Sequence, residues 1–95
     1  MLIAYLTFGK NREKAPQLME AHKAWIAKGF AENGFVMVGS LKDGGGGAVL
    51  ANDITRDAFE AYLQQDPFVI EEIVETEVRE ITPARTDERL AFLAA

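Results

Sequence analysis

The chain contains no cysteine, and it has only one histidine and one tryptophan among 95 residues. Without cysteine there can be no disulfide, no thiolate metal site and no cysteine nucleophile. A single histidine also argues against a histidine-based metal cluster, so we expect no metal and no bound cofactor. Acid–base chemistry near neutral pH therefore has one natural candidate in this chain, His22.

Positive charge is also scarce. The chain has 10 Lys and Arg residues against 15 Asp and Glu residues, a net charge of -5. Because such a surface repels polyphosphate, we expect no nucleic-acid partner. The apolar run 1–8 is too short to cross a bilayer and lacks the basic start of a signal peptide, so we expect no membrane partner either. These features predict a soluble, cytoplasmic protein.

The hydrophobic pattern predicts one α+β domain over residues 1–95, with a core at 1–83 and a C-terminal extension at 84–95 that is helical over 86–94. We expect strands at 2–8, 35–41, 48–51 and 75–81, and helices at 16–33 and after Thr55. Asp66-Pro67 should end the second helix and start another turn. The order β-α-β-β-α-β is that of the ferredoxin-like fold, an antiparallel sheet under two helices.

The strands predict a second apolar surface. Two helices cover only one face of the sheet, so the other face would expose Ile3 and Tyr5, or Val36 and Val38. The simplest cover is the same face of a second copy, which gives a homodimer. The alternative is a monomer whose terminal segment folds over the sheet.

Two residues are candidates for proton transfer. His22 falls on the apolar side of its helix, four residues after Leu18 and three before Trp25. That spacing alone favours a core histidine bonded to a carbonyl group. Asp66 precedes a proline at a helix start, and this position favours a capping aspartate. Because a carboxylate has two oxygens, Asp66 could cap the helix with one and orient His22 with the other.

Other residues carry weaker signals. The run Gly44–Gly47 is not followed by a Lys-Ser/Thr pair or a helix, so it predicts a hairpin tip, with a flap over a pocket as an alternative, rather than a phosphate loop. Ser40 lacks the strand-to-helix elbow of a hydrolase nucleophile. Spacing cannot decide whether the aromatic residues belong to the core or to a pocket wall; these are Trp25, Phe35, Tyr62 and Phe68.

Four short segments together resemble the YciI-like (YCII-related) family. They are His22–Ile26 (HKAWI), Gly34-Phe35, Gly46–Ala51 (GGAVLA) and Asp66–Phe68 (DPF), within a resemblance that runs from about Leu2 to Pro83. The family belongs to the dimeric α/β-barrel superfamily, in which two ferredoxin-like subunits pack their sheets face to face. The resemblance therefore implies the same dimeric barrel for this chain.

The resemblance also implies a site. The family's proposed active site is a His–Asp pair in a pocket beside the sheet, which corresponds to His22 and Asp66 here. A relative removes chloride from a chlorinated hydroxyhydroquinone, and distant superfamily members isomerise muconolactones. Two departures stand out. Relatives often have Ser-Gly-Pro where this chain has Val38-Gly39-Ser40, and the acidic segment at Glu71-Glu72 would disfavour an anionic substrate approaching from that side.

The leading hypothesis is a cofactor-independent enzyme that eliminates or isomerises a small cyclic or aromatic metabolite. His22 would move the proton, Asp66 would orient it, and the ligand pocket would be formed by Trp25, Phe35, Ser40 and Phe68. One alternative is a dimeric module that binds a small ligand without catalysis. A third is a purely structural dimer, which would be indicated by a His22 sealed in the core.

Overall fold

A computed structural model, which describes residues 1–94, shows a four-stranded antiparallel sheet packed against helices. Its elements in chain order are β1 (Leu2–Phe8), a 3₁₀ turn (Arg12–Lys14), α1 (Ala15–Glu32), β2 (Phe35–Ser40), β3 (Gly46–Ala51), α2 (Arg56–Leu63), α3 (Pro67–Ile70), β4 (Val74–Glu80) and a 3₁₀ segment (Glu88–Ala94). The α+β class and the strand order along the chain are as predicted. The architecture is compatible with the ferredoxin-like fold, with α3 as a short addition.

The sheet has the strand order β2-β3-β1-β4, with β1 antiparallel to both of its neighbours. Alternate residues of β1 are buried under the helices, namely Leu2, Ala4 and Leu6. Strand β3 begins two residues earlier than predicted because Gly46 already pairs with Thr7. A Cβ at Gly46 would overlap the carbonyl oxygen of Leu6, and its φ of +138° also requires glycine.

Helix α1 lies across the covered face of the sheet. Pro16 occupies its first turn, and Gly34 with φ of +73° follows its end, as the sequence predicts. The closest approach to the sheet is at Gly29, where an added Cβ would overlap the ring of Phe35. A glycine inside the helix therefore allows α1 to pack tightly on the first residue of β2.

Helices α1 and α2 are joined by two buried hydrogen bonds. The Trp25 indole N–H donates to the Tyr62 carbonyl oxygen at 3.0 Å, and the Tyr62 hydroxyl donates to the Trp25 carbonyl oxygen at 2.6 Å. Their rings stack with centroids 5.2 Å apart. Both side chains thus bury their apolar area while their polar atoms stay satisfied. This contact fixes the segment of α1 that carries His22.

The opposite face of the sheet is uncovered. Ile3 and Tyr5 of β1 pair with Leu50 and Ala48 of β3, and the alternation places all four on this face. Strand β2 adds Met37 there instead of the predicted Val38, because a register shift between Phe35 and Met37 turns Val38 to the covered side. Tyr5 is 37% exposed and Met37 is 42% exposed. We call the apolar residues Ile3, Tyr5, Met37, Ala48 and Leu50 the open face. On the β4 side of this face, Arg79 and Glu77 are the register partners of Ile3 and Tyr5.

The C-terminal extension is helical over a shorter stretch than predicted. Residues 84–87 are not helical, and Glu88–Ala94 forms two 3₁₀ turns with a kink at Leu90 instead of an α-helix. Ala95 lies outside the described residues. Among residues 84–94 the extension buries Leu93, and it approaches the end of β3, where Asn52 Nδ2 donates to the Phe92 carbonyl oxygen at 3.4 Å. It leaves Tyr5 and Met37 on the open face exposed. Across residues 1–94, none of the helices combines the length and the apolar character that crossing a bilayer requires.

Candidate functional site

A cavity of about 520 Å³ lies between α1 and the covered face of the sheet. Helix α1 supplies one wall, and strands β1, β2, β3 and β4 supply the other. The glycine-rich hairpin contributes Gly44, Gly46 and Gly47 to the lining. This volume is within the range of sites for small organic ligands.

His22 lines this cavity from α1 and is held from behind by Asp66. Its Nδ1 lies 2.7 Å from Asp66 Oδ1. The side chain of Asp66 is 0% exposed, whereas that of His22 is 15% exposed, so only the imidazole can be reached by a ligand. A carboxylate on Nδ1 fixes the proton of a neutral ring at that nitrogen and leaves Nε2 with a free lone pair. Among residues 1–94, Nε2 has no hydrogen-bond partner.

The segment after α2 supplies both the carboxylate and an aromatic wall. Asp66 is the cap of α3, because its Oδ1 accepts the Phe68 N–H at 3.0 Å. The Phe68 ring stacks on the imidazole of His22, with centroids 3.9 Å apart and planes at 1°. Trp25 lies on the same helix as His22, and their ring centroids are 5.7 Å apart. The local preference for Asp-Pro at a helix start thereby fixes the position and orientation of the imidazole.

The cap and the His22 bond coexist, but not through separate oxygens as expected. Both hydrogen bonds go to Oδ1 of Asp66, and Oδ2 is buried without a partner among residues 1–94. A capping aspartate at a surface would keep its second oxygen in water. Burying that oxygen without a donor costs roughly 1–3 kcal/mol. Capping alone therefore does not account for the placement of this carboxylate.

The predicted pocket residues divide into two groups. Trp25, Ser40 and Phe68 line the cavity together with His22. Phe35 does not: it is only 6% exposed and packs edge-on against Trp25, with centroids 5.3 Å apart. The reason is its place at the start of β2, at the end of the strand remote from Ser40. Asp66 also does not line the cavity and reaches it only through His22.

Sequence reasoning missed two cationic residues in the lining, Arg12 and Lys23. Arg12 lies in a run of charged and polar residues after β1, and nothing in its spacing shows that it faces a cavity. Lys23 follows His22 directly, which was the available signal. Glu71 and Glu72 do not line the cavity, and Glu72 pairs with Lys10 at 3.2 Å. Their expected repulsion of an anionic substrate therefore does not apply at the cavity wall.

Tyr62 lies behind the cavity and has a shifted ionisation. Burial raises the pKa of Tyr62 above its ordinary value of 10.0, and the negative charges of Glu32 and Asp66 raise it further. Its hydroxyl therefore stays protonated as a donor to the Trp25 carbonyl oxygen. Tyr62 acts as a structural support for α1 in this arrangement.

The arrangement suits proton transfer in chemical terms. A histidine with one nitrogen bonded to a buried carboxylate and the other open to a cavity can accept a proton and return it. Within the part of the chain that the structure describes, no three His, Asp or Glu side chains are grouped closely enough to hold a metal ion.

The sequence matches none of the models of known protein families, and no curated protein is significantly similar to it.

Proposed function

We propose that this protein is a YciI-like enzyme that uses His22 for proton transfer on a small cyclic or aromatic metabolite, without a cofactor. The observation that carries the proposal is the 2.7 Å contact between His22 Nδ1 and the fully buried Asp66, beside an accessible cavity. The two residues are 44 positions apart in the chain. Their meeting supports the resemblance on which the family assignment depends.

The mechanism has two proton transfers. His22 Nε2 removes a proton from an activated C–H group, and the electron pair left on carbon forms a double bond. In an elimination the leaving group departs with its own electron pair, and Nε2 then releases the proton to water. In an isomerisation Nε2 returns the proton to another atom of the substrate. Asp66 stabilises the imidazolium that exists between these steps and keeps its ring in place. Such general acid–base help contributes about 10²–10⁴-fold, so suitable substrates are already activated.

The proposal includes a dimer. Two copies would pack their open faces together, as in the dimeric α/β barrels that the sequence resembles. The exposure of Tyr5 and Met37 supports it, since apolar side chains on a strand face favour burial against a second surface. A second copy is the occupant that offers the same apolar pattern by symmetry.

The test uses a panel of compounds, so the natural substrate need not be identified first. Activated cyclic compounds, such as butenolides, cyclohexenones and chlorinated hydroquinones, are incubated in heavy water, and proton exchange and chloride release are followed by NMR and ion chromatography. We expect exchange or chloride release that depends on pH with wild-type protein and falls by about 10²-fold or more with His22→Ala. Lys10→Ala is the control, because Lys10 is a surface residue outside the cavity lining. An exchange rate and pH profile unchanged by His22→Ala would reject the mechanism.

The second candidate is a module that binds a small ligand without turnover. The apolar character of much of the cavity lining favours it, because such walls retain ligands without catalysis. Here His22 would only hydrogen-bond the ligand. This function predicts saturable binding that survives His22→Gln, whereas the proton-transfer function predicts that this substitution abolishes turnover.

A further inference from the structure

The charged side chains around the cavity are all of one sign. Arg12 and Lys23 line it together with His22, and no Asp or Glu is found in that lining within residues 1–94. The chain as a whole has 15 acidic residues and only 10 basic ones. The cavity lining therefore differs from the chain as a whole, in which acidic residues outnumber basic ones. An anion would meet less repulsion here than over the average surface of the protein.

Arg12 is held in position at this wall without being neutralised. Its guanidinium carbon lies 4.4 Å from the centre of the Phe8 ring, and its Nη2 donates to the Gly44 carbonyl oxygen at 3.1 Å. Neither contact carries a full negative charge. Five N–H groups are available on a guanidinium, so most of its donors remain free after the bond to Gly44. Within residues 1–94, no carboxylate forms an ion pair with Arg12.

The carboxylates next to Arg12 and to Gly44 in the chain do not line the cavity. Glu13 follows Arg12 in the chain and shares a neighbouring hollow with Arg12 and Phe8, but it does not line the cavity that holds His22. Asp43 lies in the hairpin, where its Oδ1 accepts the N–H of Gly45 at 2.8 Å. Both are exposed to solvent, which screens their effect on a ligand bound to Arg12.

We propose that the cavity takes a small ring compound that carries a carboxylate, and that Arg12 binds this group. A guanidinium matches a carboxylate with two parallel hydrogen bonds, which fixes the orientation of the ligand as well as holding it. The ring lies against the apolar wall formed by Ile26, Val38 and Phe68, next to His22. Lys23, whose side chain is 64% exposed and pairs with Glu20 at 3.9 Å, contributes less to binding.

This inference rests on the proposed function, since it defines the substrate class of the same cavity. Arg12 would be a specificity-determining residue: anchoring the carboxylate orients the ring so that one C–H group faces Nε2 of His22. Ser40 of β2 also lines the cavity, and its hydroxyl offers a second polar contact to the ligand.

The experiment measures binding, so it does not depend on turnover. Isotope-labelled protein is titrated by NMR with benzoate, furan-2-carboxylate and cyclohexene-1-carboxylate, each beside its primary amide of nearly the same shape. The reporter is the indole N–H of Trp25, the one tryptophan of the chain, which lines the cavity. We expect at least one acid to bind about tenfold more tightly than its amide, because charge-assisted hydrogen bonds are about twice as strong as neutral ones.

Variants then assign the preference to a residue. Arg12→Gln should weaken the binding of the acid about tenfold and leave its amide unchanged. Lys10→Gln is the matched control: it removes the same charge from the same loop, but Lys10 pairs with Glu72 and does not line the cavity. A purely structural role of Arg12, holding the hairpin through Gly44, would instead weaken acid and amide equally.

The outcomes separate this inference from the proposed function. Equal affinity for every acid and its amide, no shift with any acid, or equal effects of Arg12→Gln and Lys10→Gln would overturn the role of Arg12. Proton exchange that requires His22 but is indifferent to Arg12→Gln would leave the mechanism standing and reject the anion site. Acid-selective binding that requires Arg12, with no His22-dependent exchange, would reject the mechanism and keep the anion site.

Discussion

Asp66 caps α3 and holds His22 through the same oxygen atom, Oδ1. Substitutions can therefore separate the effect of its hydrogen bonds from the effect of its charge. Asp66→Asn keeps an acceptor oxygen for the Phe68 N–H and for His22 Nδ1 but removes the charge. Asp66→Ala removes the acceptor oxygen as well as the charge. We expect the alanine variant to lose roughly 1–3 kcal/mol of unfolding free energy in urea, and the asparagine variant to lose less.

The proton-exchange rates of the Asp66 variants should not follow their stabilities. If the charge stabilises the imidazolium, Asp66→Asn should lower the exchange rate strongly although it folds, because a neutral amide supports that state poorly. Thr55→Ala is the control, since the Thr55 Oγ1 caps α2 by accepting the Ala58 N–H at 3.1 Å and lies outside the cavity lining. It should cost stability and leave the rate unchanged. A wild-type rate in Asp66→Asn would show that the charge is not used.

We expect the free energy of unfolding to fall at high pH because Tyr62 ionises there. Burial is the main cause of its raised pKa, so ionisation is less favourable in the folded chain than in the unfolded one. The stability is therefore fully present below the ordinary tyrosine pKa of 10.0 and is lost as the pH rises above it. Urea unfolding from about pH 8 to pH 11 measures this decline.

The chain provides a matched control, because it has two tyrosines. Tyr62→Phe should be less stable at pH 8 by about 1 kcal/mol, from the lost hydrogen bond to the Trp25 carbonyl oxygen, but should flatten the high-pH decline. Tyr5→Phe, on the open face, should keep the decline. An equally steep decline in both variants would contradict the assignment to Tyr62.

Individual residues of the site differ in how well their positions could be predicted from the sequence. Spacing alone favoured a core histidine and a capping aspartate, with a His22–Asp66 pair as an open alternative, and the family resemblance made that pair the preferred prediction. The sharing of one oxygen could not be predicted, since it depends on the angle between α1 and α3. Phe35 was misplaced because an aromatic residue at a strand start looks the same in sequence whether it faces the core or a cavity.

At the scale of elements, the sequence predicted helices and strands correctly where the hydrophobic periodicity agreed with the glycine and proline residues at their ends. The strands and α1 follow from apolar runs bounded by glycine and proline, and Asp66-Pro67 indicated the break before α3. The C-terminal segment is helical as predicted over residues 88–94, but it forms 3₁₀ turns because few of its side chains are buried. With Leu93 as its one buried residue, tertiary contacts do not stabilise a full α-helix there.

Gly29 tests the packing of α1 on the sheet. Inside a helix, Gly→Ala normally stabilises by about 1 kcal/mol. Here the added Cβ would overlap the Phe35 ring, so Gly29→Ala should instead destabilise by about 1–3 kcal/mol in urea unfolding. Gly9→Ala is the control, because its Cβ would meet nothing closer than 3.8 Å. A stabilised Gly29→Ala variant would mean that α1 does not approach β2 this closely.

At the scale of the whole molecule, the sequence predicted the layering but not the charge of the cavity. Apolar strands with one set of helices indicate a sheet covered on one side. The position of Arg12 depends on a loop after β1 meeting the β2–β3 hairpin through Gly44, a contact between residues 32 positions apart. No local pattern encodes that meeting, so the cationic lining emerges only from the tertiary fold.

The same layering makes the dimer testable. We expect light scattering at micromolar concentration to give twice the 10.5 kDa mass of one chain. Tyr5→Lys should give the mass of the single chain, because a dimer would bury the new charge of both copies at its centre, whereas in the monomer the lysine side chain stays in solvent. Ile70→Lys is the control, since Ile70 is 61% exposed on α3 and away from the open face. A wild-type mass near 10.5 kDa would reject the dimer, and equal dissociation in both variants would place the interface elsewhere than on the open face.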